Sequence, residues 1–167
     1  VNILTVVTIA IVLLVTFRSL SFPIVLLLTI QTSVWINLSI PYFTNDPLVY
    51  IGYLIISIVQ LAATVDYAIL FSDDFTNNRK EMGALAAITK TINEKVFSIA
   101  VPASILSSVG FILWFTSSDP IISSIGILLG RGTLLAFILV VLFLPALLVV
   151  LDRVIEKTTW KANYKGE

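Results

Sequence analysis

Five long apolar stretches constrain the fold of this chain more than any other feature of its sequence. A helix needs about 20 mostly apolar residues to cross the roughly 30 Å hydrocarbon core of a bilayer. The stretches that approach or exceed this length cover residues 3–17, 22–40, 48–72, 96–115 and 121–151. We therefore predict an all-α integral membrane protein with five transmembrane helices. Because the first stretch is short and the chain begins at Val1, we expect a piece of a longer protein.

The composition excludes several classes of function. The chain of 167 residues is 58% hydrophobic and 12% charged, whereas soluble proteins average about 45–50% and about 25%. Ten basic residues balance ten acidic ones without a basic block, so no nucleic-acid partner is predicted. The chain has no Cys, no His and no phosphate-binding GxxxxGK[ST] loop. We therefore predict neither an enzyme nor an ATP-driven motor, and no cofactor or metal.

The distribution of basic residues predicts the orientation in the membrane. Segments that alternate along the chain should lie on opposite sides, and Lys and Arg favour the cytoplasmic side. One side holds nine of the ten, which are Arg18, Arg79, Lys80, Lys90, Lys95, Arg153, Lys157, Lys161 and Lys165. This places the N-terminus and the turns over 41–47 and 116–120 outside, and the C-terminus in the cytoplasm.

The longest polar segment predicts one further helix. Met82, Leu85, Ile88 and Ile92 recur at spacings of three to four, with charged residues between them. This pattern is typical of an amphipathic helix that lies along a membrane surface. We predict such a helix over about 78–95, on the cytoplasmic side between the third and fourth transmembrane helices.

Two ionisable residues lie inside the predicted transmembrane helices, where such residues are costly and usually functional. Asp66 lies about 10 Å from Asp73, and Arg131 lies about 15 Å from the outer turn at Ile121. A buried carboxyl can take up and release a proton, whereas the guanidinium of Arg131 stays charged. Arg131 is therefore a candidate charge partner or gating residue, and contact between it and Asp66 is left open.

The residues around Asp66 divide the third helix into two faces. Ser57, Gln60, Thr64 and Tyr67 form a polar stripe, with Thr64 as a candidate gating residue. Such stripes also serve ordinary hydrogen bonding between helices. The Asp66 side carries small residues that allow another helix to approach, so we expect Asp66 to face a neighbouring helix. Ser33 and Asn37 give the second helix an internal polar face as well.

The last two helices carry residues that affect helix shape and packing. Pro102 removes a backbone hydrogen bond, so Pro102 and Gly110 are candidate hinge residues in the fourth helix. Gly126 and Gly130 are separated by three residues in the fifth helix. This spacing is typical of close helix packing in membranes.

Four segments, taken in order, resemble the MMPL family of the RND (resistance-nodulation-division) superfamily. They are ATVDYAILF at 63–71, the run from 93–98 into 102–110, IGILLGRG at 125–132 and LPALL at 144–148. The resemblance implies a bundle of twelve transmembrane helices in two halves. This chain would supply the last five helices. The N-terminal half and the extracytoplasmic domains would be its partners within the same protein.

The resemblance also implies a function for the Asp66 and Tyr67 pair, which would form part of a proton relay. The chain lacks the paired aspartates and the lysine that many multidrug members of the superfamily carry, which favours the MMPL branch and a hydrophobic or lipid substrate. We therefore expect a proton-driven exporter in a bacterial cytoplasmic membrane. The alternatives are a SecDF-type protein-translocation accessory, a sodium-coupled carrier, and a non-transporting sterol-sensing-like or scaffold bundle. Whether the protein forms a homo-oligomer is left open.

Overall fold

The computed structural model describes residues 2–17, 19–44 and 50–159, which are almost entirely helical. The elements are α1 (Asn2–Phe17), α2 (Ser21–Thr44), α3 (Tyr50–Arg79), α4 (Ala84–Thr116), α5 (Pro120–Ile138), a π-helical turn (Leu139–Phe143), α6 (Leu144–Val150) and α7 (Asp152–Thr158). The prediction of an all-α chain is confirmed. The residues outside the described ranges include Arg18, Lys161 and Lys165, the part 45–47 of the predicted outer turn, and the first two residues of the third apolar stretch, 48–49.

Four helical segments are long and apolar enough to cross a membrane. They are α2, α3, α4 and the run Pro120–Val150, which joins α5, the π-helical turn and α6. The first predicted transmembrane helix corresponds to α1, which has 16 residues and is therefore about 24 Å long. This length is below the roughly 30 Å of the hydrocarbon core. The structure thus agrees with a multi-pass membrane protein, in which α1 is an apolar helix shorter than the four long segments.

The separate amphipathic helix predicted over 78–95 is absent, because its residues belong to α3, a short turn and α4. α3 ends at Arg79 and α4 runs without interruption from Ala84 to Thr116. The buried residues of α4 recur every three or four positions along its length, at Ala84, Ala87, Ile88, Thr91, Ile99, Ala103, Ser107 and Gly110. One buried stripe therefore continues past residue 95, where the sequence contains neither Gly nor Pro to end a helix.

The last long segment changes its helical geometry before Pro145. The amide of Leu144 donates to the carbonyl of Leu139, five residues earlier, and this marks the π-helical turn. In a regular α-helix the ring of Pro145 would clash with the carbonyl four residues before it. At the other end, the Asp119 carboxylate accepts from the amides of Ile121 and Ile122, and Pro120 begins α5. This cap fixes the turn predicted over 116–120.

Glycines bring α4 and α5 into close contact. A Cβ atom added to Gly110 would overlap the backbone of Gly130 and lie 2.8 Å from the carbonyl oxygen of Gly126. The Ser107 hydroxyl donates to the Gly130 carbonyl at 3.0 Å across the same contact. Gly110, a candidate hinge, thus lies buried between two helices. Pro102, the other candidate, lies on the exposed side of a helix that continues through it.

We expect Gly126→Ala to destabilise the protein by about 1–3 kcal/mol, the usual cost of overpacking. A Cβ atom at this position would lie 2.6 Å from the Trp114 amide nitrogen and 2.7 Å from the Gly110 carbonyl oxygen. Gly52→Ala is the matched control, since its Cβ would meet only the Ile125 side chain, at 3.5 Å. Reversible unfolding in mixed micelles measures both. Equal stability of the two variants would contradict the close contact.

Candidate functional site

Asp66 lies near the middle of α3, on the side turned away from the other described helices. The side chains one turn before and after it, Ala62 and Leu70, are exposed as well. No hydrogen bond or ion pair joins the Asp66 carboxylate to any residue in the described part of the chain. The expectation that Asp66 faces a neighbouring helix is therefore wrong for the described helices. α3 uses its opposite, polar stripe for contact with them.

Tyr67 follows Asp66 directly but points into the bundle. Its side chain is 7% exposed and belongs to the apolar core with Ala68, Phe71 and Phe75. Thr64 is fully buried and donates to the carbonyl of Gln60 at 2.6 Å. The described hydrogen bond of this candidate gating residue therefore lies within its own helix. Asp66 therefore lies on the exposed face of α3, whereas Thr64 and Tyr67 lie on its buried face.

A second polar centre, which we call the amide cluster, joins α2, α3 and α5. It consists of Ser33, Asn37, Gln60 and Arg131. The Asn37 amide nitrogen donates to Gln60 Oε1 at 2.7 Å and to the Leu128 carbonyl at 3.0 Å. Gln60 Nε2 donates to the Ser33 hydroxyl at 2.9 Å. The polar stripe of α3 thus forms hydrogen bonds between helices.

Arg131 belongs to the amide cluster, and no described hydrogen bond or ion pair joins it to Asp66. Its Nε donates to Asn37 Oδ1 at 3.0 Å, and a terminal nitrogen donates to the Asn37 carbonyl at 3.3 Å. The physical reason lies in the geometry of α3. Gln60, which contacts Asn37, and Asp66 are six residues apart, which turns them about 120° away from each other.

The Gly-Arg-Gly segment serves two sides of α5. Residues two positions apart on a helix point in nearly opposite directions. Gly130 meets Ser107 and Phe111 of α4. A Cβ atom at Gly132 would overlap the Asn37 amide nitrogen and lie 2.6 Å from Gln60 Oε1. The lack of a side chain at Gly130 therefore lets α4 approach closely, and the lack of one at Gly132 leaves space for the amide cluster.

A buried ion pair lies at the end of the bundle where most described basic residues are found. Arg79 donates from Nε and a terminal nitrogen to both carboxylate oxygens of Asp152, at 2.9–3.3 Å. The two side chains are 4% and 10% exposed. Sequence reasoning counted Arg79 as a loop charge and did not single out Asp152. The signal was a carboxylate placed directly after the last apolar stretch.

Further polar contacts tie α7 and α4 to the same end. The Thr158 hydroxyl donates to the Ser21 hydroxyl at 2.7 Å, which connects α7 with the start of α2. The Asn78 amide donates to the Thr91 hydroxyl at 3.0 Å, which connects α3 with α4. Lys95 pairs with Asp74 at 3.3 Å in a partly exposed contact. The ends of α2, α3, α4 and α7 are thus held together by polar side chains.

We expect Asp152→Asn to lower the free energy of unfolding by about 3–5 kcal/mol, because it leaves the Arg79 charge buried without its carboxylate. Lys95→Gln is the control, since a partly exposed pair contributes about 1 kcal/mol or less. Replacing both partners, Arg79→Met with Asp152→Leu, removes both charges and should restore much of the loss. Unfolding in mixed micelles compares the three. A loss for Asp152→Asn no greater than that for Lys95→Gln would show that the pair contributes little.

A family of known proteins matches this sequence. The sequence profile of the MMPL family matches residues 1–164. No curated protein and no solved structure gives a significant match. Within residues 2–17, 19–44 and 50–159, no group of three or more acidic side chains could hold a metal ion.

Proposed function

The chain belongs to the MMPL family, and we propose that it is the transmembrane part of a proton-driven exporter of lipids or other hydrophobic compounds. Membership of the family implies an RND-type transporter of hydrophobic compounds. Proton coupling, export and a lipid substrate are our additions to it. Proton coupling rests on Asp66, the direction rests on the charge distribution along the bundle, and the lipid substrate rests on the resemblance to the MMPL branch.

The position of Asp66 is the observation that carries the proposal. It is the only acidic residue between Tyr50 and Ser72, and it lies about 24 Å from the first residue of a helix that is about 45 Å long. An ionised aspartate costs about 2.5–3.5 kcal/mol at the centre of a transmembrane helix and less toward the interface. Asp66 lies about 9 Å from Ser72 along α3, so this figure is an upper limit for it. An ionised carboxylate at this depth destabilises the bundle, and protonation removes the charge and with it this cost. Such a group therefore favours a function that uses its protonation.

In the proposed mechanism, protonation of Asp66 changes which arrangement of the bundle is stable. A neutral carboxyl can pack against apolar helices, whereas the carboxylate needs water or polar partners. A difference of about 2.7 kcal/mol between two arrangements changes their ratio about a hundredfold. The proton enters from the outer side and leaves to the cytoplasm, and Tyr67 completes the relay. The movement of α3 passes to the extracytoplasmic domains, which handle the substrate.

The exposed face around Asp66 supports a partner within the membrane. Ile51, Ile55, Ile58 and Leu70 are exposed on α3, and Asp66 lies among them. We propose that the N-terminal half of the same protein covers this face and supplies the other side of the relay. The carboxyl would then lie between the two halves, at the centre of a twelve-helix bundle.

The basic residues support the proposed orientation in a bacterial cytoplasmic membrane, and aromatic residues mark the interface at the end opposite to them. Arg79, Lys80, Lys95, Arg153 and Lys157 lie near one end of the described bundle. Exposed aromatic residues lie at the other end, where membrane proteins place an interfacial belt; they are Tyr42, Phe43, Tyr50, Trp114 and Phe115. We propose that the basic end is cytoplasmic, that α1 is the first of five crossings, and that the N-terminus of the chain is outside.

We expect Asp66→Asn to abolish proton-coupled transport and leave the fold intact, because the Asp66 carboxylate has no hydrogen bond within the described residues. The full-length protein is reconstituted in liposomes, and substrate flux is followed together with internal pH. Asp73→Asn is the matched control, since Asp73 is exposed on the same face of α3 two turns further on. Its transport should equal that of the parent.

The same assay separates the alternatives. Retained proton-coupled flux in Asp66→Asn would remove Asp66 from the mechanism. Loss of stability without selective loss of flux would favour a scaffold in which Asp66 only holds helices together. Flux that follows a sodium gradient in the parent, and not a proton gradient, would favour a sodium-coupled carrier. Movement of polypeptide instead of hydrophobic compounds would favour a SecDF-type accessory.

We expect Tyr67→Phe to slow proton-coupled transport less than Asp66→Asn does. The substitution keeps the buried ring, so packing in the core remains, but it removes the hydroxyl that would pass the proton. Flux and proton uptake are measured together, with protein stability measured alongside. Parental flux in Tyr67→Phe would assign Tyr67 to packing alone.

A further inference from the structure

Ser33, Asn37 and Gln60 of the amide cluster are deeply buried polar residues, and the proposed proton relay does not use them. Asn37 is fully buried and Gln60 is 1% exposed. The Asn37 amide nitrogen makes two hydrogen bonds and its oxygen accepts one. These bonds reach α3 and α5 from a single side chain on α2. Asn37 therefore fixes the positions of three helices relative to one another.

The cluster also fixes how α3 is turned about its own axis. Gln60 can reach both Ser33 and Asn37 only while its side of α3 faces α2. Asp66 lies about 9 Å further along the same helix and about 120° around it. As long as Gln60 points to Asn37, Asp66 must point out of the described bundle, as observed.

Gly132 shows how closely this geometry is set. A Cβ atom there would overlap the Asn37 amide nitrogen and lie 2.6–2.9 Å from the Gln60 amide group. Neither amide can move away without losing hydrogen bonds inside an apolar bundle, where an unpaired polar group costs several kcal/mol. A side chain at position 132 would therefore displace the Asn37 or Gln60 amide and break the hydrogen bonds that set the rotation of α3.

We propose that Asn37, with Gln60 and Gly132, is a positioning centre that sets the rotation of α3 and thereby the direction in which the Asp66 carboxyl is presented. The inference rests on the proposed function of Asp66 for its role in transport. Its geometric part, the rotation of α3, can be tested independently of transport.

The test compares Gly132→Ala with Gly52→Ala in the full-length protein. Gly52 is a buried glycine of α3 whose added Cβ would meet only Ile125, at 3.5 Å. Because this chain has no cysteine, single spin labels can be placed at Ala62→Cys and at Leu70→Cys, after replacement of any cysteine elsewhere in the protein. These positions flank Asp66 on the face of α3 that is exposed in the described bundle and that the N-terminal half is proposed to cover. A change in the oxygen accessibility of the labels therefore reports a rotation of α3 at that contact.

We expect Gly132→Ala to change label accessibility at both positions, to shift the pH profile of transport, and to slow transport about tenfold or more, since small misplacements of reacting groups cost rates of this order. Gly52→Ala should match the parent in all three. Asn37→Asp is the second variant in case Gly132→Ala does not fold. It keeps the acceptor for Arg131 but places a carboxylate oxygen against Gln60 Oε1 and the Leu128 carbonyl.

Two outcomes would overturn the inference. In the first, Gly132→Ala or Asn37→Asp lowers only the amount of folded protein, and the remaining molecules keep the parental label accessibility and pH profile. In the second, all measurements equal those of the parent. Failure of the proposed function can be distinguished from failure of this inference. If the proposed function is wrong, Asp66→Asn transports normally. The labels at 62 and 70 still report whether Asn37 and Gly132 control the rotation of α3.

Discussion

The hydrogen bonds of the Asn37 side chain hold α2, α3 and α5 in one arrangement, and the orientation of the candidate site follows from them. In a bilayer no water replaces a lost hydrogen bond, so a polar group inside the bundle must find its partners in the protein. Asn37 finds them on two other helices. A rotation of α3 would break the hydrogen bond between Asn37 and Gln60. As long as this bond is kept, Asp66 points out of the described bundle.

The glycines of α5 make these contacts possible on both of its sides. Toward α4, the absence of side chains at Gly126 and Gly130 lets two backbones approach and lets Ser107 bond to a carbonyl. Toward α2 and α3, Gly132 leaves room for two amide groups. α5 is therefore the helix that joins the apolar contact with α4 to the polar contact with α2 and α3.

The sequence predicted the helices well because hydropathy and helical spacing act locally. The four long apolar helices, the turn over 116–120 and the buried stripe of Ser57, Gln60, Thr64 and Tyr67 all follow from such patterns. The prediction of a separate amphipathic helix that ends near residue 95 was wrong, because charged residues do not by themselves end a helix. α4 keeps its buried stripe through them and ends only where the chain turns at Ser117.

Partner choice could not be predicted, because it depends on residues far apart in the chain. Arg131 pairs with Asn37, 94 positions away, and Arg79 pairs with Asp152, 73 positions away. A single sequence gives the depth of Asp66 and of Arg131 but not the rotation of the helices that carry them. Rotation decides whether two residues at similar depth meet, and here it turns Asp66 away from the side on which α3 meets Asn37.

The separation of polar groups on α3 would allow one helix both to be held in place and to respond to the proposed protonation of Asp66. Hydrogen bonds that hold helices together must persist, whereas a carboxyl that binds and releases a proton must be able to change its surroundings. If Asp66 lay within the amide cluster, each change of its charge would disturb the bonds that position it. Asp66 lies about 120° around α3 and about 9 Å along the helix from Gln60. Its charge could therefore change while Asn37, Gln60 and Arg131 keep their hydrogen bonds. A helix held on one face and protonated on the other would move as a unit with α2 and α5, which is the behaviour that the proposed proton coupling requires.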